Sequence, residues 1–226
     1  SADMLEALGC PMSMKDEEHV AALESTHFTF LFAPDFHPAF RMIAPVRKLL
    51  AEQGSRSVFN LLGPLINPAS PAYQLLGVFS SVWMERLARG LEAKGVIRAL
   101  LVHCQLPGGG HLDELSVCGT NHCLPSGDWR DESVEVDLSH CGLGVSEFSE
   151  LAGGTLEENL RMLDQLVDGN ASAGLRDTVV LNAAAGFLTA AHVKDWKEGV
   201  ERASEIIDSG ILKAWLQRWK NYHRAL

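Results

Sequence analysis

A single α/β domain over residues 1–226, with a central, largely parallel sheet flanked by helices, is the fold class this sequence predicts. Three observations predict it. Two apolar runs of strand length, Gln74–Ser80 and Ala99–His103, bracket a segment with helical spacing, Val82–Lys94. Strand, helix and strand within about thirty residues is the pattern of a parallel crossover. Beyond Thr155 the apolar spacing becomes almost wholly helical, and no repeat or low-complexity linker divides the chain. With 46% hydrophobic and 21% charged residues, a sizeable core is expected and disorder is not.

The elements follow in order. A short helix over Ala2–Leu8 is stopped by Gly9-Cys10-Pro11. A second covers Met14–Leu23, with Ser13 as N-cap and Asp16, Glu17 and Glu18 matching the positive end of its dipole. Phe28–Phe32, ended by Ala33-Pro34, reads as a short buried strand, and Pro38–Glu52 as a helix interrupted at Pro45. After the crossover, Val117 and Val134–Val136 read as further strands, parted by a turn-rich stretch that includes Gly119-Thr-Asn and Pro125-Ser-Gly. Helices are then predicted over Leu156–Val167, Leu175–Thr189, Val193–Asp208 and Leu212–Tyr222.

Composition narrows the function. A net charge of −10 argues against a general nucleic-acid binder, whose affinity rests on Lys and Arg displacing counterions. Acidity does not exclude a small anionic ligand held by a few local cations. No apolar run approaches the ~20 residues of a membrane span. The start, SADMLEALG, has neither the basic opening nor the apolar centre of a signal peptide, so a cytoplasmic location is expected. It also lacks an initiator Met, which points to processing or truncation. The five cysteines show no CxxC spacing and are expected as reduced thiols, and Cys118, His122 and Cys123 lack the second ligand pair a structural zinc needs.

Three stretches carry chemistry. In His37-Pro38-Ala39-Phe40 and Ala44-Pro45-Val46-Arg47-Lys48, a cation stands just inside an apolar helix. The forked donors of Arg47 suit a carboxylate, although most helix cations face solvent. In Phe59–Pro68, Gly63, Pro64 and Pro68 impose a rigid, non-helical loop that lets backbone approach a flat ligand. The third, Gly108–Glu114, leaves a strand through three glycines to the adjacent acids Asp113 and Glu114, hard oxygen donors suited to Mg2+. Ligands in open parallel sheets gather beyond the carboxyl ends of strands, where this segment lies. A solvated acid pair is the competing reading. No helix start follows the glycines, so they are not read as a phosphate cradle.

Together these stretches form a longer text. FLFAPDFHPAFRMIAPVRK, SVFNLLGPLINPA, QLLGVFS and LDELSVCGT, followed by NAAAGFL, resemble the anthranilate phosphoribosyltransferases in order and spacing over nearly the whole chain. The resemblance implies a catalytic domain of the nucleoside phosphorylase/phosphoribosyltransferase type. It implies transfer of a phosphoribosyl group from phosphoribosyl pyrophosphate to anthranilate, releasing pyrophosphate, in tryptophan biosynthesis. Mg2+ is the implied cofactor, with no nucleic-acid or membrane partner. Arg47 matches the arginine of the anthranilate site; His37, Gly63 and Pro64 match residues near that ligand. Asp113 and Glu114 match the metal-binding acids, and Ser1 a serine beside the phosphoribosyl donor. Apart from the resemblance, His103 is a candidate hydrogen-bonding support by its position at a strand end near the acids.

The departures shape expectations equally. The family's N-terminal helical domain, through which its members dimerise, and its GTGGD-type loop would precede Ser1. This polypeptide alone is therefore expected to show little transferase activity and could be monomeric. Gln105–His111 is longer than the family's link into the acid pair, and His111 stands where glycine is typical. The alternatives are a non-catalytic relative, an assembly subunit of the same fold, or a pyrimidine-nucleoside phosphorylase relative. The intact Arg47, Asp113 and Glu114 speak against a non-catalytic relative, and the HPAF and FNLLGPLINP text against the phosphorylase.

Overall fold

The computed structural model describes residues 2–37, 43, 46, 49 and 62–224. The chain opens with α1 (Ala2–Ala7), α2 (Asp16–Thr26) and the single turn α3 (Ala33–Phe36). A 3-10 turn at Gly63–Ile66 leads to β1 (Tyr73–Gly77), and a second at Ser81–Trp83 leads into α4 (Met84–Ala93). Then come β2 (Arg98–Gln105), β3 (His111–Leu112) and β4 (Thr120–Gly127). After a 3-10 turn at Phe148–Glu150 the chain closes with α5 (Leu156–Val167), α6 (Ala173–Thr189), α7 (Trp196–Asp208) and α8 (Ile211–Arg224).

The expected crossover is present: β1 and β2 pair in parallel from Tyr73↔Arg98 to Gly77↔Val102, joined through α4. The class, α/β with helices flanking a sheet, is as the sequence predicts. Within the described residues, however, the sheet is mixed rather than largely parallel. β4 runs antiparallel along the whole of β2, and β3 pairs antiparallel with its last two residues, Cys104 and Gln105. Alternation along β2 divides the core. Leu100 and Val102 face a large cluster with α6 and α7; Ala99 and Leu101 face a second one with α4. Met84, Leu87, Ala88 and Leu91 of α4 supply that second face at i, i+3, i+4, i+7 spacing. On the other side α7 lies close on α6, because a Cβ at Gly199 would stand 3.0 Å from that of Ala184.

Several local expectations change. The stretch taken for turns contains a strand, β4, and Pro125 sits inside it opposite Leu100. A proline without an N–H is tolerated on such an edge strand; the true turn starts at Gly127, with φ 79°. Val117 and Val134–Val136 are not strands: Val117 is buried in a turn, and the second stretch forms no regular element. Phe28–Phe32 is likewise unpaired, and Phe28 packs its ring edge-on against Trp215 and Trp219 of α8. The N-cap of α2 is Lys15, whose N–H donates to Glu18, while the Ser13 hydroxyl donates to Asp35. Of the predicted helix Pro38–Glu52, only residues 43, 46 and 49 are described, and they are helical. No described helix is long and apolar enough to cross a membrane.

Candidate active site

The acid pair reaches its place by a hairpin. Leu106–Gly110 turns back after β2, with Leu106 N–H donating to Gly110 O at 2.8 Å and Gly109 N–H to Leu106 O at 3.2 Å. Gly108 and Gly109 take φ of 88° and 98°, which side chains avoid, so the triple glycine serves the turn. The returning strand β3 is short, and the chain then passes over the end of β1. There the Asp113 carbonyl packs so closely on Gly77 that a Cβ on Gly77 would lie 1.6 Å from its oxygen. Asp113 and Glu114 thus stand at the carboxyl end of the parallel pair, where α/β sheets bind ligands.

Behind the acids, side chains hold the main chain. Asn182 of α6 accepts from Leu115 N–H at 3.1 Å and donates to Leu115 O at 2.7 Å and Thr178 O at 2.9 Å. Asn121 of β4 accepts from Ser116 N–H at 2.9 Å and donates to Ser116 O at 2.8 Å. Val117 N–H donates to the Thr178 hydroxyl and Cys118 N–H to that of Ser116. Leu115, Ser116 and Val117 are fully buried, whereas Asp113 and Glu114 are exposed just outside. An irregular buried segment must pair its main-chain groups somehow, and here four successive N–H groups are met by side chains.

The electrostatics suit a cation. Glu114 is an exposed residue, yet partial desolvation of its carboxyl, followed by repulsion from Asp113, raises it above the ordinary carboxylate range. A bound divalent cation would relieve both effects. Among the described residues no group of three or more His, Cys, Asp or Glu could hold a metal unaided. Two adjacent carboxylates are hard, incomplete ligands, which fits Mg2+, an ion that keeps waters and substrate phosphates in its shell.

The other predicted residues are placed separately. His37 caps α3, partly buried, its N–H donating to Ala33 O at 3.1 Å. Gly63 and Pro64 begin a 3-10 turn rather than a non-helical loop, and Pro64 O accepts from the Gln74 amide at 3.1 Å. That contact is made at the second residue of β1, whereas Asp113 lies on its last, about 10 Å further along the strand. Arg47, Lys48 and Ser1 lie outside the described residues. Of the cysteines taken for thiols, all five are free; burial pushes Cys123 up to about 12, and burial, then Cys118 and Glu114, push Cys104 up to about 11. Such thiols are inert. His103 lies between Val78 O and His111, its Nδ1 2.7 Å from the first and its Nε2 3.2 Å from Nδ1 of the second.

Sequence reasoning passed over Gly77, Asn121, Thr178 and Asn182. A visible signal for Asn182 was an amide inside the apolar run Thr178–Leu188, where a side chain with two donors and an acceptor calls for partners.

Comparison with known proteins agrees with this architecture. The protein of Synechococcus sp. (strain RCC307) named anthranilate phosphoribosyltransferase is 40% identical over 226 residues, covering all of this chain and 63% of that protein. The crystal structure of anthranilate phosphoribosyltransferase from Thermus thermophilus superposes with a TM-score of 0.84 at 40% identity, over 99% of this chain and 64% of the other. The Saccharomyces cerevisiae enzyme of that name, in complex with PRPP and Mg, gives a TM-score of 0.85 at 26% identity, over 100% and 63%. The chain thus spans a little under two thirds of the length of these relatives. Residues 1–213 match the model of the glycosyl transferase family, a/b domain, and the chain belongs to that family.

Proposed function

We propose that this chain is the α/β catalytic part of an anthranilate phosphoribosyltransferase, moving a phosphoribosyl group from phosphoribosyl pyrophosphate to anthranilate in tryptophan biosynthesis in the cytoplasm. The observation that carries the reading is the Asp113–Glu114 pair, displayed beyond β1 on a loop anchored by Asn121 and Asn182. The relatives' names and the relative bound to PRPP and Mg support it.

The chemistry asks little covalent work of the protein. The anthranilate amine attacks C1 of the ribose with its own lone pair, the C1–O bond to pyrophosphate breaks, and the nitrogen then sheds a proton. Rate comes from positioning and from stabilising the leaving charge. Asp113 and Glu114 would hold Mg2+, and when bound that ion offsets the charge gathering on pyrophosphate. By resemblance, Arg47 orients the anthranilate carboxylate, His37, Gly63 and Pro64 border its ring, and Ser1 contacts the donor.

A chimera tests the reading: this chain joined to the part of the Synechococcus relative that it does not span. The fluorescent product of phosphoribosyl transfer to anthranilate should form, and Asp113→Asn with Glu114→Gln should lower turnover roughly 100-fold or more. A folded chimera without transfer, or one indifferent to the loss of both acids, would overturn the proposal.

A further inference from the structure

A parallel ladder that continued past Gly77 would give the Val78 carbonyl to the N–H of Cys104. That continuation is interrupted. Val78 N–H still donates to Val102 O at 2.8 Å, but Cys104 is paired with Leu112 of β3, the strand that delivers the acids. The imidazole of His103 fills the gap: its Nδ1 lies 2.7 Å from Val78 O, and its Nε2 lies 3.2 Å from Nδ1 of His111. His103 is 1% exposed, and its ring stacks on that of His111 at 5.1 Å.

A carbonyl only accepts, so Nδ1 of His103 carries hydrogen, and a second bond joins its Nε2 to Nδ1 of His111. One side chain therefore clamps the segment after Gly77, on which the Asp113 main chain rests, and the residue two before Asp113. The rest of the acid loop is held from the far side by Asn121 and Asn182.

We propose that His103 is the positioning residue of the acid pair: by joining Val78 to His111 it holds Asp113 and Glu114 in the arrangement that receives a hard divalent cation. This rests on the metal-binding role given to the two acids above. His103 would act not as a ligand but through the backbone of Val78 and the side chain of His111.

The test uses the full chain and Mn2+ as probe. Long-range proton–nitrogen correlation spectra of 15N-labelled chain should show His103 protonated on Nδ1. Mn2+ affinity, read from relaxation of water protons, should fall roughly 10-fold or more in His103→Leu, as when a supporting partner of a metal ligand is lost. His103→Asn, which keeps a donor for Val78 O, should recover part of that loss, and His111→Gly should weaken binding less than His103→Leu. A bare Nδ1 on His103, or unchanged Mn2+ affinity in His103→Asn and His111→Gly, would overturn the proposal even if His103→Leu does not fold. Asp113→Asn separates the two layers: if it leaves Mn2+ affinity intact, the assignment of the acids fails; if it abolishes binding while the His103 variants bind normally, only the role of His103 fails.

Discussion

The acid loop and the α2–α8 corner solve burial in opposite ways. Around Leu115–Cys118 four consecutive main-chain N–H groups are met by Asn182, Asn121, Thr178 and Ser116. At the corner, α8 packs on α2 and α5 through stacked and edge-on rings: Phe28 meets Trp215 and Trp219 at 6.0 and 5.9 Å, and Trp219 meets His223 at 4.8 Å. Trp215 donates to Thr26 O, but Trp219 Nε1 and both His223 nitrogens are buried with no hydrogen-bond partner among the described residues. Aromatic area holds the corner despite unmet polar atoms, because packing is non-directional. The acid loop, whose buried main-chain groups have no strand to pair with, is held instead by directional bonds from side chains.

Substitutions test this contrast, and the strongest response is due at Gly77. A Cβ there meets main chain, not a flexible side chain, so Gly77→Ala should destabilise the protein by about 3 kcal/mol or more in urea unfolding. Asn182→Ala strips both polar groups of Leu115 and should cost about 2–4 kcal/mol, with hydrogen exchange at Leu115–Val117 accelerated more than elsewhere. At the corner the sign reverses. His223→Leu removes two unpaired buried nitrogens and should raise the melting temperature by a few degrees, about 1 kcal/mol. If it destabilises as much as Asn182→Ala, the two regions do not differ in the way described.

Acidity probes the same contrast. Burial lowers the His223 pKa, so the unfolded chain binds a proton that the folded one refuses, and stability falls as pH drops below about 6.5. His223→Leu should flatten that slope in melting curves between pH 7.5 and 5. Glu114 behaves conversely: its folded pKa is raised, so stability falls as pH climbs through the unfolded value of about 4.3. Without divalent cation, Glu114→Gln should therefore raise the melting point slightly at pH 7.5 and not at pH 4. This is the smallest effect of the set, and the one Mg2+ should reverse.

Helices were legible where their signals were local. Leu156–Val167 was predicted with the boundaries observed for α5, and the crossover through α4 followed from apolar spacing alone. The β4 strand was missed because Pro125 and Gly127 mimic a turn, and only the edge position of the strand makes the proline acceptable. Val117 looked like a strand because it is apolar, but burial and strand structure are separate properties. It is buried in a turn, with Thr178 supplying the bond a neighbouring strand would have given.

The same division runs through the candidate site. Residue type alone singles out Asp113 and Glu114 as candidate hard donors beyond three glycines, since carboxylate chemistry and glycine conformation belong to the residues themselves; the metal-binding role comes with the resemblance. Their anchoring depends on contacts across long separations: Asn182 is 67 positions from Leu115, and His103 lies 25 from Val78. No local pattern encodes such a meeting. It exists only once α6 has packed on the sheet and β3 has displaced the ladder beside β1, because hydrogen bonds of fixed length and angle are made by positions in space, not by neighbours in the chain.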